Sequence, residues 1–177
     1  MNVLLIGGGG RESAIAWKIA QSELLNTLYI SPGNAGTSSF GTNIPDLSIQ
    51  ESINFAKQNN VSLTIVGPEA PLIDGIVDEF KKNKLTILGP TKSASNIEGS
   101  KIWAKSLFEK YSIPCAKSTQ FSSLESSLEF FYNNNPAEWV IKVDGIAGGK
   151  GVFLPESLKD ASEALKEIFI ENKFGKS

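Results

Sequence analysis

The chain has 177 residues, 41% of them apolar, with a formal charge of -2, no histidine and one cysteine, Cys115. This composition fills an ordinary core and excludes a strongly basic nucleic-acid surface, imidazole catalysis, histidine metal sites and an internal disulfide. With no apolar run near the about 20 residues that span a bilayer, and no secretory pattern in the first residues, the expectation is a cytoplasmic protein without membrane or nucleic-acid partners.

Asn2 to Ile6 is a short branched apolar run, expected as a buried strand, and Gly7-Gly8-Gly9-Gly10 follows it. Arg11 to Ser22 carries Ala14, Ile15, Trp17 and Ile19 at helical spacing. Leu24 to Ile30 reads as the second strand, closed by the turn formers Ser31-Pro32-Gly33-Asn34. Ser48 to Glu51 matches a capping box, and a helix runs from it toward Asn60. Ser62 to Val66 is the third strand, Pro71 to Lys82 a helix with Leu72, Ile73, Ile76, Val77 and Phe80 on one face, and Leu85 to Leu88 a fourth strand. Strands alternating with helices predict a doubly wound parallel sheet.

The pattern changes after Gly89-Pro90-Thr91. Helical stretches over Ala94 to Ile97 and Lys101 to Lys110 are followed by a break at Ile113-Pro114, read as a linker. Beyond it we expect a strand at Ala116 to Gln120 and a helix opened by a capping box at Ser122 to Glu125. The Asn133 to Asn135 run should end that helix in a turn, ahead of a strand at Trp139 to Val143. A second glycine loop covers Asp144 to Gly151, and Val152-Phe153-Leu154 is a further strand. The last helix presents Leu158, Ala161, Leu165, Ile168 and Phe169 on its apolar side.

A glycine turn between strand and helix directs backbone N–H groups and the helix dipole toward an anion. A dinucleotide is the first candidate, but the motif then requires glycine or alanine where Glu12 stands, and an acidic residue where the second strand ends in Ser31-Pro32-Gly33. NAD is therefore disfavoured. Arg11 at the first helical turn opposes the dipole, which suits a guanidinium that grips a phosphate beside the amides or one that pairs with Glu12 or a neighbouring loop. Pro32 to Thr37 and Gly67 to Pro71 end the next strands at the same side of the sheet, where ligands of open α/β sheets gather. Glu69 there could bind hydroxyls or an amine, or serve its own helix dipole.

In the second loop Gly145 is displaced, Gly151 stands where a hydroxyl residue is needed, and a strand follows, so the match to a P-loop fails. A glycine-rich hairpin over nucleotide phosphates fits better, with Lys142 and Lys150 neutralising charge; a hairpin with no ligand is the plain alternative. Glu163, Glu167 and Glu171 recur at helical spacing and are read as a solvated face.

Gly9-Gly10-Arg11-Glu12, Pro32 to Thr37, Val66 to Leu72, Glu98 to Lys101 and Lys142 to Val152 together resemble the phosphoribosylamine-glycine ligase (glycinamide ribonucleotide synthetase) family of purine biosynthesis. The resemblance runs over nearly the whole chain and in the family's order. It implies an α/β fold, with a Rossmann-like (pre-ATP-grasp) domain over 1–100, a helical linker over 101–115 and part of the small ATP-grasp lobe over 116–177. It also implies ATP-dependent joining of glycine to 5-phosphoribosylamine through glycyl phosphate, giving glycinamide ribonucleotide, ADP and phosphate. By the same resemblance Gly9, Gly10, Arg11, Glu12, Gly33, Asn34, Ala35, Gly36, Thr37 and Glu69 would hold phosphoribosylamine. Lys101, Lys142, Gly148, Gly149, Lys150 and Gly151 would hold ATP.

Two departures stand out. Ser13 occupies the place of a usual histidine, and family members run to over twice this length. The implied magnesium ligands and most of the adenine pocket are then expected outside these residues, which leaves an amino-terminal fragment, an excised piece or a shortened gene product, inactive by itself. The competing reading is a non-catalytic module that binds a sugar phosphate or nucleotide.

Overall fold

The computed structural model describes residues 1–146 and 150–175. Two compact units divide the chain, Met1–Asn96 and Ile97–Ser177.

In the first unit β1 (Asn2–Gly7), β2 (Thr27–Pro32), β3 (Thr42–Asn43), β4 (Val61–Val66) and β5 (Ile87–Leu88) form a sheet of order β3-β2-β1-β4-β5, parallel throughout. The helices are α1 (Gly10–Ile19), α2 (Ile49–Gln58), α3 (Glu69–Asp74), α4 (Ile76–Lys82) and α5 (Lys92–Gly99), the last lying across the division between the units. The central strand explains the layering. Leu4 and Ile6 point into one core with Ile53, Ala56, Val77 and Phe80, while Val3 and Leu5 point into another with Ala16, Leu28 and Ile30. A strand apolar on both faces needs helices on both sides, as a parallel sheet requires. Because β2 and β4 flank β1, the strand order reverses at β1, and its carboxyl end is the crevice where such sheets take ligands.

The second unit has α6 (Lys101–Lys110), α7 (Leu124–Asn133), α8 (Leu158–Phe169) and an antiparallel hairpin of β6 (Ile141–Lys142) and β7 (Val152–Phe153). Phe131, Ile141, Val143, Ala161, Leu165 and Ile168 form its core.

Several expectations are corrected. Leu24 to Asn26 is a turn in which the Leu25 amide bonds Ser22 O, so β2 starts at Thr27. The helix read over Pro71 to Lys82 is two helices, parted by Gly75 at φ +98°, a left-handed conformation that ends a helix. Leu85 bonds back to Phe80 O as the exit from α4, which leaves only Ile87 and Leu88 in β5. On α1, Ala14 and Trp17 face solvent, and Glu12 takes an inward position instead. No strand occurs at Ala116 to Gln120: those residues are exposed and none pairs with another strand among the described residues, and an unpaired strand has no ladder to define it. The cap of α7 is Ser123, whose hydroxyl accepts from the Ser126 amide, so the motif lies one residue later than read and does not use Glu125. Trp139 closes a short 3-10 turn over Pro136–Glu138, which shortens the following strand to Ile141–Lys142. Sequence reasoning missed β3 altogether, since two polar residues carry no periodicity. The Ser48/Glu51 capping box is as read, and α8 buries Ala161, Leu165 and Ile168 as expected, whereas Leu158 is exposed.

Candidate functional site

At the carboxyl ends of β1, β2 and β4 the glycine loop is held from below by Glu12. This side chain is 4% exposed, and its Oε2 accepts the Gly9 N–H at 2.6 Å, the side-chain half of a capping box whose cap residue has no side chain. The carboxylate lies so close to Gly7 and Gly67 that a Cβ at either would collide with it. Gly8 is constrained as well, because a Cβ there would come 2.6 Å from Gly33 O. A Cβ at Gly9 would lie 3.0 Å from Glu12 Oε2, so three of the four consecutive glycines are tight against Glu12 or the neighbouring loop. Gly10 is not: a Cβ there would meet nothing within 4 Å.

Asn34 organises the neighbouring loop. Its Oδ1 accepts the amides of Gly36 at 2.7 Å and Thr37 at 3.1 Å, while its Nδ2 donates to Gly8 O at 2.9 Å and to Gly9 O at 3.2 Å. Thr37, fully buried, accepts the Asn34 amide through Oγ1 and donates to Asn34 O and Asn43 Oδ1. Asn43 returns a bond from Nδ2 to Asn34 O at 2.7 Å. The Ser13 hydroxyl contacts Asn34 as well and so joins the two loops.

Arg11 crosses to the third loop: Nη1 donates to Gly67 O and lies 3.7 Å from Glu69 Oε2, with both side chains largely exposed. The partner is thus a neighbouring loop and not Glu12.

All ten residues predicted for the sugar phosphate fall on these three loops, but the structure divides their work. Glu12, Asn34 and Thr37 spend their side-chain polar atoms inside the protein, as do the amides of Gly9, Gly33, Gly36 and Thr37. The amides of Gly10, Arg11, Glu12, Ala35 and Glu69 find no acceptor among the described residues and, with the exposed Arg11 guanidinium, are the donors of this set left for an anion. Asn43 was missed as part of this frame and offered no signal, whereas Gly67 lies in a loop singled out from sequence, though not as a residue packed on Glu12.

In the second unit Lys142 and Lys150 are exposed at the hairpin, and neither ammonium meets a carboxylate among the described residues. The Val143 amide bonds Gly151 O at 2.9 Å and closes the base of the loop. Lys101 Nζ donates to Gly145 O at 2.8 Å. Gly148 and Gly149 lie outside the described residues. Asp144, not singled out from sequence, accepts the amides of Lys101 at 2.6 Å and Ile102 at 3.1 Å. Glu163 pairs with Lys159, and Glu167 and Glu171 with Lys173, on the surface. Among the described residues no group of three or more His, Cys, Asp or Glu could hold a metal, and no helix is long and apolar enough to cross a membrane. No magnesium ligand is assigned among the described residues.

Comparison with known proteins bears on the whole chain. The chain is 42% identical to the phosphoribosylamine-glycine ligase of Pasteurella multocida, over 100% of its own length and 42% of the relative's. It is 44% identical to that of Clostridium acetobutylicum, over 98% and 42%. The chain thus spans about two fifths of the length of the curated relatives it matches. A crystal structure of the Thermotoga maritima phosphoribosylamine-glycine ligase superposes with a TM-score of 0.77 at 29% identity, covering 98% of this chain and 41% of that one. The N5-carboxyaminoimidazole ribonucleotide synthetase of Thermus thermophilus shares the fold, with a TM-score of 0.66 at 18% identity over 99% of this chain and 44% of that one. The family model for the N domain of phosphoribosylglycinamide synthetase matches residues 1–98, and the model for its ATP-grasp (A) domain matches residues 99–177. Matched from end to end by these two consecutive domains, the chain belongs to the phosphoribosylglycinamide synthetase family.

Proposed function

We propose that these residues supply the phosphoribosylamine platform and part of the ATP site of a phosphoribosylamine-glycine ligase. In that reaction a glycine carboxylate oxygen attacks the γ-phosphorus of ATP and ADP departs. The amine of 5-phosphoribosylamine then attacks the glycyl carbonyl; the C–N bond forms, the bond to phosphate breaks and the amine gives up a proton. In this reading residues 1–100 form the substrate domain, 101–115 a helical connection and 116–177 part of the ATP-grasp lobe.

The observation that carries the sugar-phosphate part is Gly10. It opens α1 with a free amide, and its lack of a side chain has no explanation in packing. A ligand pressed against the backbone supplies one. The amides of Gly10, Arg11 and Ala35 and the Arg11 guanidinium would share the monoester charge. Lys142 and Lys150, exposed and without carboxylate partners among the described residues, fit a polyphosphate and would offset charge as the phosphoryl group transfers. No step is assigned to magnesium.

Calorimetric titration of the chain with ribose 5-phosphate, ATP and NAD tests the reading. The sugar phosphate should bind most tightly and ATP more weakly, whereas a preference for NAD would sink it. Residues 1–177 alone should form no glycinamide ribonucleotide from ATP, glycine and phosphoribosylamine. Turnover like that of a full-length relative would overturn that expectation.

A further inference from the structure

We propose that Asp144 is a positioning residue that sets the base of the second glycine loop and the ammonium of Lys101, an inference that rests on the ATP reading of this loop. The first turn of α6 has three amides without helical partners, and all three are satisfied. Lys101 and Ile102 donate to Asp144 Oδ1 at 2.6 and 3.1 Å, and Trp103 donates to Ser100 Oγ at 3.0 Å. The Ser100 hydroxyl in turn donates to Asp144 Oδ2 at 3.0 Å. Asp144 therefore caps α6 from 43 residues away in sequence, and its charge occupies the positive end of the helix. A phosphate cannot use these amides while the carboxylate holds them.

The next residue turns the link into a device. Gly145 adopts φ +90°, a left-handed conformation, and Lys101 Nζ donates to its carbonyl at 2.8 Å. The same lysine is thus bound twice, its amide to Asp144 and its ammonium to the following residue. The loop base is also tied on its other side by the bond between the Val143 amide and Gly151 O. Lys101 is held beside the loop on a neutral carbonyl, an acceptor that a polyphosphate oxygen would outcompete. Asp144 would accordingly act on nucleotide affinity through Lys101, by fixing where that ammonium starts.

A double-mutant cycle on the 177-residue chain tests this, with ATP titration and amide hydrogen exchange as readouts. Asp144→Ala should speed exchange at Lys101 and Ile102 roughly five- to tenfold, in line with the loss of a helix cap. It should also weaken ATP binding roughly tenfold, and Asp144→Asn, which keeps an acceptor, should restore most of both. In a Lys101→Ala background Asp144→Ala should weaken ATP binding little further, because the two side chains act as one unit. Equal losses of ATP affinity in both backgrounds would mean that Asp144 acts without Lys101 and would overturn the proposal, and faster exchange with unchanged ATP affinity would make Asp144 a helix cap alone and overturn it too. If the unaltered chain takes up no ATP, the nucleotide reading itself fails, a result distinct from either.

Discussion

Four consecutive glycines invite a single explanation, and the structure supplies two. Gly7, Gly8 and Gly9 are confined by Glu12, Gly33 and Pro68, and Gly67 is confined by the same Glu12 carboxylate. Gly67→Ala should lower stability by about 1–3 kcal/mol in urea unfolding, since the added methyl drives into a buried side chain that has no free space. Gly10→Ala separates fold from ligand. It should leave stability within about 0.5 kcal/mol of the parent yet weaken ribose 5-phosphate binding roughly tenfold or more. Unchanged affinity would remove the observation on which the sugar-phosphate reading stands. Arg11 divides in a similar way between bracing and binding. Its bond to Gly67 O and its nearness to Glu69 are surface contacts, worth little by themselves. Arg11→Ala should therefore cost the ribose 5-phosphate complex about 1–3 kcal/mol while moving the melting temperature little. The opposite pattern would make Arg11 a strut between loops.

Among the helices, those with side-chain caps were the easiest to place from sequence, and their chemistry explains why. At α2 the Ser48 hydroxyl donates to Glu51 Oε2 at 2.6 Å and the Ser48 amide donates to the same oxygen at 2.9 Å. These bonds, the hydroxyl's foremost, hold the Glu51 carboxyl below the usual carboxylate range. A depressed pKa contributes stability above the unfolded value, and that contribution is lost as pH falls through the folded one. Comparing Ser48→Ala with the parent, the gap between urea midpoints should be widest near neutral pH and narrow in acid, leaving the part due to the Ser48 hydroxyl that accepts the Glu51 amide. A gap that does not change with pH would mean the carboxylate half of the cap contributes nothing. The elements that failed from sequence are short or interrupted. Gly75 split one apolar face into α3 and α4 because the hydrophobic spacing continues across a residue whose backbone does not. Ala116 to Gln120, expected as a strand, holds only Thr119 of the strand-favouring residue types and has no pairing partner among the described residues, and a strand exists only in a ladder.

At the scale of the whole molecule, each unit has its own core, and the exposed stretch from Tyr111 to Gln120 lies within the second unit, joined to α6 by the Lys105 Nζ bond to Ala116 O at 2.6 Å. Few packed contacts restrain such a segment, so limited trypsin digestion should cut first after Lys117, before the lysines within α4 or α8. Initial cleavage inside those helices would refute that order. The sequence by itself determined the α/β class, which loops end the strands of the first sheet, and the family. Strand and helix periods, and glycine loops in a fixed order, are properties of neighbouring residues. Only the tertiary structure decided which loop residues remain available for a ligand. Glu12, Asn34 and Asp144 carry the residue types of a binding site, yet in the fold their oxygens accept backbone amides: Glu12 and Asn34 those of residues two or three positions away, Asp144 that of Lys101, 43 residues away, a bond that leaves no mark in local spacing.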